Sequence, residues 1–140
     1  MKATIAVIVI VLCIIIGFAV VLWLLRPQSV ESVISNTLKE NTWKVTEIEE
    51  METGKAPVPV SDAGIEKQFH QMFSETIIKS SKDDGMSKEA PVYAVHVAGE
   101  KNQATICFDN KGQVLISPAE KTYAIAEGDL YTFIKTQYGS

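Results

Sequence analysis

An uncharged apolar run near the N-terminus constrains this chain more than any other feature. From Ala3 to Leu25 the sequence has 23 consecutive residues without a charge, most of them Ile, Val, Leu and Ala. A helix of that length measures roughly 35 Å, which is enough to cross a hydrocarbon core of about 30 Å with some tilt. A lone strand is excluded because it would leave its backbone polar groups without partners in lipid. We therefore predict a transmembrane helix that contacts the lipid bilayer through Ala3–Leu25.

The flanks of this run favour an uncleaved anchor over residues 1–26. Trp23 and the Arg26-Pro27 pair are typical of a membrane interface that also ends a helix. A cleavable signal peptide has a shorter apolar stretch, of about 7–15 residues, and small residues at its cut site, which this exit lacks. Cys13 follows Val11-Leu12 rather than a small residue, so we exclude lipidation. The run also contains no Glu, which the hydrophobic stem of a type IV pilin requires.

The remaining residues, 27–140, form the second predicted unit, a small extracytoplasmic domain. They carry 11 Lys against 17 acidic residues, a net charge of −6. This balance argues against nucleic acid and anionic lipid headgroups as partners, since both require basic patches. The acidic tail and the short N-terminal flank favour a cytoplasmic N-terminus and a domain outside the cell membrane. Cys107 is the only thiol beyond the apolar run and no Asn-x-Ser/Thr acceptor is present, which favours a bacterial outer surface.

Hydrophobic periodicity divides this domain into helices and strands. Apolar residues recur at helical spacing from Val30 to Leu38, after Ser29 as N-cap, and again from Ile65 to Ile77, after Asp62 as N-cap. The predicted elements are a helix over 28–41, a strand over 42–51, a loop over 52–61, a helix over 62–79, a polar linker over 80–90, strands over 91–98, 103–108, 113–117 and 122–126, and a closing helix from Gly128-Asp129. No alternating βαβ series is present, so the fold class is α+β: a single N-terminal transmembrane helix followed by a small antiparallel sheet packed with two to three helices.

Two turns and one strand give more specific expectations. Gly99 to Asn102 suits a tight hairpin, and Asp109 to Gly112 suits a type I turn in which Gly takes a positive φ. In the strand over 42–51, strict alternation places Trp43 and Val45 on one face and Ile48 on the other, with fraying near Glu49.

Residues able to carry chemistry are few, and we predict no catalytic residue, no cofactor and no metal site. His70 lies on the polar face of its helix and is expected to be solvated. His96 lies on the opposite sheet face from Val95 and Val97, and Cys107 on the face opposite Ile106. His96 and Cys107 could supply two ligands of a zinc site, but such a site needs three or four. They could also form a thiol–base pair, but that requires the two side chains to be in contact. Asp83-Asp84-Gly85 lacks the spaced ligands of a calcium loop and is read as linker.

The densest charge cluster is acidic and consists of Glu47, Glu49, Glu50 and Glu52. Such a cluster usually forms a solvated sheet edge that discourages association between sheets. The alternative is a docking surface for a basic partner.

The C-terminal segment carries a distinctive series of apolar residues and turns. The series comprises Tyr93-Ala-Val-His-Val, Ala104-Thr-Ile-Cys-Phe, Asp109-Asn-Lys-Gly, Val114-Leu-Ile, Tyr123-Ala-Ile and Phe133-Ile134. Over these roughly 50 residues the chain resembles small extracytoplasmic lipoproteins and membrane-anchored proteins of Bacillus-like Firmicutes. The resemblance implies location and fold class, and it transfers no site residue.

These observations favour a membrane-tethered, non-enzymatic binding or sensing module that engages an envelope protein or peptide. The alternative is an accessory subunit of a larger membrane complex that associates partly through its transmembrane helix. A third hypothesis is an unrecognised hydrolase. In that case, replacing His96 or Cys107 should abolish an activity while leaving the fold intact.

Overall fold

The first helix is followed by a sheet that carries three helices on one face. The computed structural model describes residues 2–24, 26–81, 86, 90–118 and 120–139. The helices are α1 Lys2–Leu24, α2 Val30–Leu38, α3 Ala63–Glu75 and α4 Leu130–Gly139. The strands are β1 Gln28–Ser29, β2 Trp43–Glu50, β3 Val58–Pro59, β4 Ile77–Ser80, β5 Tyr93–Gly99, β6 Gln103–Phe108, β7 Gln113–Ser117 and β8 Lys121–Glu127. The chain therefore has the predicted α+β fold.

The helix α1 is long and apolar enough to cross a membrane. Within its segment Lys2–Trp23, a window of 18 residues has a mean hydropathy of 3.6, and none of that window is buried against the rest of the described chain. Just beyond it, the Arg26 guanidinium lies 4.5 Å from the centroid of the Trp23 ring, a cation–π contact.

The eight strands form one sheet in the order β1-β4-β8-β7-β6-β5-β2-β3, and every neighbouring pair is antiparallel. The consecutive strands β5 to β8 form the predicted meander. Gly99 N–H donates to the Asn102 carbonyl at 2.8 Å, which confirms the hairpin. Gly112 has a φ of 84°, and Asp109 Oδ1 accepts from the backbone N–H groups of Lys111 and Gln113.

A single hydrophobic core lies between the sheet and α2, α3 and α4. Its centre is aromatic: the Phe73 ring lies 6.5 Å from Phe108, 5.7 Å from Phe69 and 6.0 Å from Trp43, measured between centroids. The predicted helical stripes supply most of the helix side of this core, including Val30, Val33, Ile34, Leu38, Phe69, Phe73, Leu130 and Ile134. Because α2, α3 and α4 pack on one face, the helices among the described residues leave the other face of the sheet open.

Two predicted helices are shorter in the structure. The helix predicted over 62–79 ends at Glu75, and Ile77–Ser80 forms β4 beside β8 instead. Thr76 closes the helix, because both its backbone N–H and its hydroxyl donate to the Met72 carbonyl, at 2.9 and 2.7 Å. The helix predicted over 28–41 begins after Ser29, whose hydroxyl accepts from Ser32 N–H as the N-cap. It ends at Leu38, and the C-cap residue Lys39 is in the left-handed conformation. Gln28 and Ser29 pair with β4 as strand β1.

The prediction for β2 is wrong in its alternation. The pairing of β2 with β5 shifts between Val45 and Glu47, so one extra residue bulges out of the ladder at this point. Ile48 consequently faces the core together with Trp43 and Val45. The strand does not fray near Glu49 but continues to Glu50, which pairs with Tyr93. The predicted linker motif Asp83-Asp84-Gly85 lies outside the described residues.

Candidate functional site

The open face of the sheet brings together Glu47, Glu49, His96 and Cys107, which the sequence analysis singled out separately, with neighbours that it did not single out. Strand pairing aligns them in two rows that run across the sheet. The first row contains Glu47, His96, Thr105 and Ser117, and the second contains Glu49, Ala94, Cys107, Leu115 and Thr122. This arrangement follows from period-two alternation, which directs every second side chain of a strand to the same face.

His96 is at the centre of a polar cluster that it forms with Glu47, Glu49 and Thr105. Its Nε2 lies 3.0 Å from Glu49 Oε2 and 4.0 Å from Glu47 Oε1, and its Nδ1 lies 3.0 Å from Thr105 Oγ1. A carboxylate only accepts, so the ring nitrogen beside Glu49 donates its N–H. The imidazole is therefore held in one orientation between a carboxylate and a hydroxyl, with 28% of its side chain exposed.

The β-bulge in β2 is what brings Glu47 beside His96. With strict alternation from Trp43 and Val45, Glu47 and Glu49 would face the core and Ile48 the open face. The extra residue reverses these positions. Thr46, at the bulge, donates its hydroxyl to the His96 carbonyl at 3.1 Å and so fastens the bulge to β5. Bulges re-aim side chains in this way near binding sites.

A groove of about 530 Å³ lies on this face beside the cluster. Its walls include the polar side chains of Thr46, Glu47, His96, Gln103, Thr105 and Ser117. Ala98 and Pro118 add small apolar surfaces to the lining. A groove with these walls has room for one extended side chain or a short peptide segment. Among the described residues that line it, Glu47 supplies the one carboxylate, and Glu49 lies beside the groove against the same ring nitrogen of His96.

Cys107 is on the same face but is not paired with His96. In the ladder it lies opposite Ala94, while His96 lies opposite Thr105. Burial raises the pKa of the Cys107 thiol, and the nearby Glu49 carboxylate raises it further. A nucleophilic thiol needs the opposite shift, so this environment does not activate Cys107.

The order hydroxyl, imidazole, carboxylate at Thr105, His96 and Glu49 is the order used in acyl transfer. Such chemistry also needs N–H donors that stabilise an oxyanion. Thr105 lies within β6, between β5 and β7, so the backbone N–H groups around it are used by the two neighbouring ladders. The backbone N–H groups beside Thr105 are therefore not available to stabilise an oxyanion there. Within the described residues, no group of three or more His, Cys, Asp or Glu side chains is placed to hold a metal ion.

His70 is not part of this face, and its predicted solvated position is wrong in part. Its ring centroid lies 4.4 Å from that of Trp43, and its Nε2 lies 3.6 Å from Glu66 Oε1. The imidazole covers the edge of the core, with 35% of its side chain exposed.

The members of the acidic cluster separate in the structure. Glu47 and Glu49 lie on the open face, whereas Glu50 is buried near Lys55, whose Nζ is 3.7 Å from Glu50 Oε2.

Sequence reasoning missed Thr105 and Ser117 as members of the site. Alternation within each strand indicates that Thr105 and Ser117 lie on the face opposite the core residues. The sequence does not indicate the strand register that places them in one row with His96.

We compared the chain with protein-family models, curated proteins and solved structures, and found no match in any of the three.

Proposed function

We propose that this protein is a membrane-tethered, non-enzymatic binding module that holds a basic segment of another envelope protein on the open face of its sheet. The observation that carries this proposal is the groove beside Glu47, Glu49 and His96, on the one sheet face that no described helix covers. The helix α1 supports the tether by its length and composition.

The chemistry of the groove favours a Lys or Arg side chain as its occupant. Glu47 and Glu49 are partly exposed, at 43% and 36% of their side chains, so they are accessible to a partner. The hydroxyls of Thr105 and Ser117 and the Gln103 amide add neutral hydrogen-bonding groups. Glu47 in the groove wall and Glu49 beside it, both within 4.0 Å of His96 Nε2, attract a cation without a large rearrangement, which is the advantage of preorganisation.

The proposed topology places the N-terminus in the cytoplasm and the domain outside the cell. The excess of 17 acidic residues over 11 Lys in residues 27–140 supports this orientation. Crosslinking on intact cells with a membrane-impermeant amine reagent tests it, because the 11 Lys of the domain are the targets. Labelling before lysis is expected. Labelling only after lysis would place the domain in the cytoplasm.

The groove is tested with peptides on the full chain in nanodiscs. The probe is an acetylated hexapeptide with two Lys, and its counterpart carries Gln at the same positions. We expect the Lys peptide to bind more tightly and to weaken with added salt. The double variant Glu47→Gln/Glu49→Gln should lose up to about fivefold in affinity per carboxylate, since an exposed ion pair contributes up to about 1 kcal/mol.

The matched control removes the same charge elsewhere, with Glu52→Gln/Glu100→Gln at two exposed positions. Equal losses in both double variants would mean that net charge alone attracts the peptide. No difference between the Lys and Gln peptides would rule out a basic occupant.

A second candidate is an accessory subunit that associates through its transmembrane helix. The observation in its favour is that the 18-residue apolar window within Lys2–Trp23 has no residue buried by the described domain, which leaves that part of the helix accessible to other helices. Replacing Ala3–Leu25 by an unrelated apolar anchor distinguishes the two candidates. Loss of the crosslinked partner would favour the accessory subunit, and its retention would favour the groove.

A further inference from the structure

A second cavity lies at the junction between α1 and the sheet. It measures about 480 Å³, and its walls include Trp23, Arg26, Gln28, Ser80, Lys121 and Tyr123. These residues come from the end of α1, from β1 and from the ends of β4 and β8, which meet at this edge of the sheet. The cavity adjoins another of about 410 Å³ that shares Gln28, Lys121 and Tyr123 with it.

The position of this cavity along the chain fixes its depth relative to the anchor. Only three residues separate the end of α1 at Leu24 from the start of β1 at Gln28. An extended chain spans at most about 3.6 Å per residue, so β1 begins within roughly 15 Å of the helix end. Trp23 lines the cavity itself, and an indole at a helix end prefers the interface between lipid tails and headgroups.

The charge of the cavity is opposite to that of the domain as a whole. Its charged walls are Arg26 and Lys121, and the described residues that line it include no carboxylate. Trp23 holds the Arg26 guanidinium at 4.5 Å by a cation–π contact, which limits the conformations of a long side chain. A guanidinium donates to phosphate oxygens in a planar fork, and an ammonium adds a second charge. The Ser80 hydroxyl and the Gln28 amide offer neutral donors beside them.

We infer that this cavity binds the phosphate of an anionic phospholipid headgroup, with Arg26 and Lys121 as its two cationic contacts. The inference rests on the proposed membrane tether, because the cavity meets headgroups only if α1 spans the bilayer. The net charge of −6 on residues 27–140 argues against a broad basic surface, and it does not exclude a local pair of cations beside the helix end. A lipid is favoured over free phosphate because α1 delivers the cavity to a surface where headgroups are concentrated.

The test uses the full chain in nanodiscs of phosphatidylcholine that contain spin-labelled phosphatidylglycerol or spin-labelled phosphatidylcholine. The fraction of motionally restricted label gives the relative association constant of each lipid. We expect a preference for phosphatidylglycerol that falls about fivefold in Arg26→Gln and in Lys121→Gln, which corresponds to about 1 kcal/mol for each cation near the surface. Lys44→Gln and Lys135→Gln, at exposed positions in β2 and α4, should leave the preference unchanged.

Three results would overturn the inference. The wild-type chain could show no preference, the two cavity variants could keep it, or millimolar inorganic phosphate could abolish it and so identify a free-anion site. Resistance to alkaline extraction separates this failure from failure of the tether. A chain that stays inserted without lipid preference refutes only the headgroup site, and a chain that is extracted refutes both. The hexapeptide assay reports on the groove independently.

Discussion

The contact between Glu40 and the β5–β6 hairpin yields a prediction whose size follows from the structure. Glu40 lies after α2, and its two carboxylate oxygens accept from the backbone N–H groups of Lys101 and Asn102, both at 3.0 Å. A Cβ added to Gly99 would lie 2.6 Å from the Glu40 Cδ, which is closer than the atoms tolerate. Gly99 does not have a positive φ, so the backbone itself accepts alanine. Gly99→Ala is therefore expected to act by expelling the carboxylate.

The expected cost comes from the two hydrogen bonds to a charged acceptor. Each such bond contributes about 1.5–3 kcal/mol when it is buried. Glu40 is half-buried, so we expect a total loss of about 1–3 kcal/mol in the free energy of unfolding for Glu40→Ala. Gly99→Ala should lose a similar amount, because it removes the same two bonds. In the Glu40→Ala background, Gly99→Ala should be neutral or stabilising by up to about 1 kcal/mol, through the unfolded chain.

The assay is a double-mutant cycle on the full chain in detergent, read by denaturant unfolding and by amide hydrogen exchange. The loss in the double variant should fall short of the summed single losses by at least about 1 kcal/mol, and the Lys101 and Asn102 amides should exchange faster in both single variants. Glu100→Ala, at an exposed position in the same hairpin, is the control. Additive losses, or amides that stay protected in Gly99→Ala, would refute the proposed mechanism.

Three further predictions concern the core, a turn and the buried thiol. Phe73→Ala should cost about 3–5 kcal/mol in the free energy of unfolding, because it empties the centre of the core. Gly128→Ala should cost more than about 1 kcal/mol, because Gly128 has a φ of 105° and an added Cβ would lie 3.0 Å from Thr76 Oγ1; the loss should appear as a lower melting temperature. Because the pKa of Cys107 is raised, its alkylation rate in a variant without the α1 cysteine should be low at neutral pH and should continue to rise with pH above about 8.5, the pKa of a free thiol. Glu49→Gln should raise the alkylation rate at a given pH, because it removes a charge that raises this pKa. Since the folded-state pKa of Cys107 is raised, its contribution to stability should be complete below the unfolded-state pKa of about 8.5 and should decrease as pH rises towards the folded-state value.

The parts of the fold that local signals specify were predictable from the sequence. The strands β6 and β7 match their predicted ranges because alternating residues run uninterrupted between turns that contain Gly, Asn or Pro. The segment after Phe73 was not predictable in this way. Ile77 lies four residues beyond Phe73 and fits a helical stripe, yet Ile77 and Ile78 are also strong strand formers. Pairing with β8 decides between the two, and that pairing is a tertiary contact. The strands β1 and β3 have two residues each, too few for any periodicity.

The candidate site illustrates the same limit at the level of single residues. His96 and Cys107 were correctly placed away from the core, since one-strand alternation suffices for that. The contacts of His96 with Glu47 and Glu49 depend on the bulge near Thr46. Strict alternation along β2 does not predict this bulge, and it therefore assigns Ile48 to the wrong face. A bulge is stabilised by cross-strand contacts such as the one from Thr46 to the His96 carbonyl, and these join residues 50 positions apart. Sequence patterns over ten residues do not carry that information.

The two proposed sites constrain each other through the turn between β7 and β8. Pro118 lines the acidic groove on the open face, and it also lines the cavity that adjoins the Arg26 and Lys121 pair. In the proposed arrangement the cations lie against anionic headgroups, while Glu47 and Glu49 are repelled by the same surface, so the two charges together favour one orientation of the domain on the bilayer. Screening limits each effect to about 8 Å at physiological salt, which is why the short connection from α1 matters. In the proposed arrangement, a groove at this height would recognise the membrane-proximal segment of its partner more readily than a distant one. Basic residues are common next to the cytoplasmic ends of transmembrane helices and scarcer next to the outer ends. The proposed outward-facing module with an acidic groove would therefore select a minority of envelope proteins, those whose outer juxtamembrane segment carries Lys or Arg.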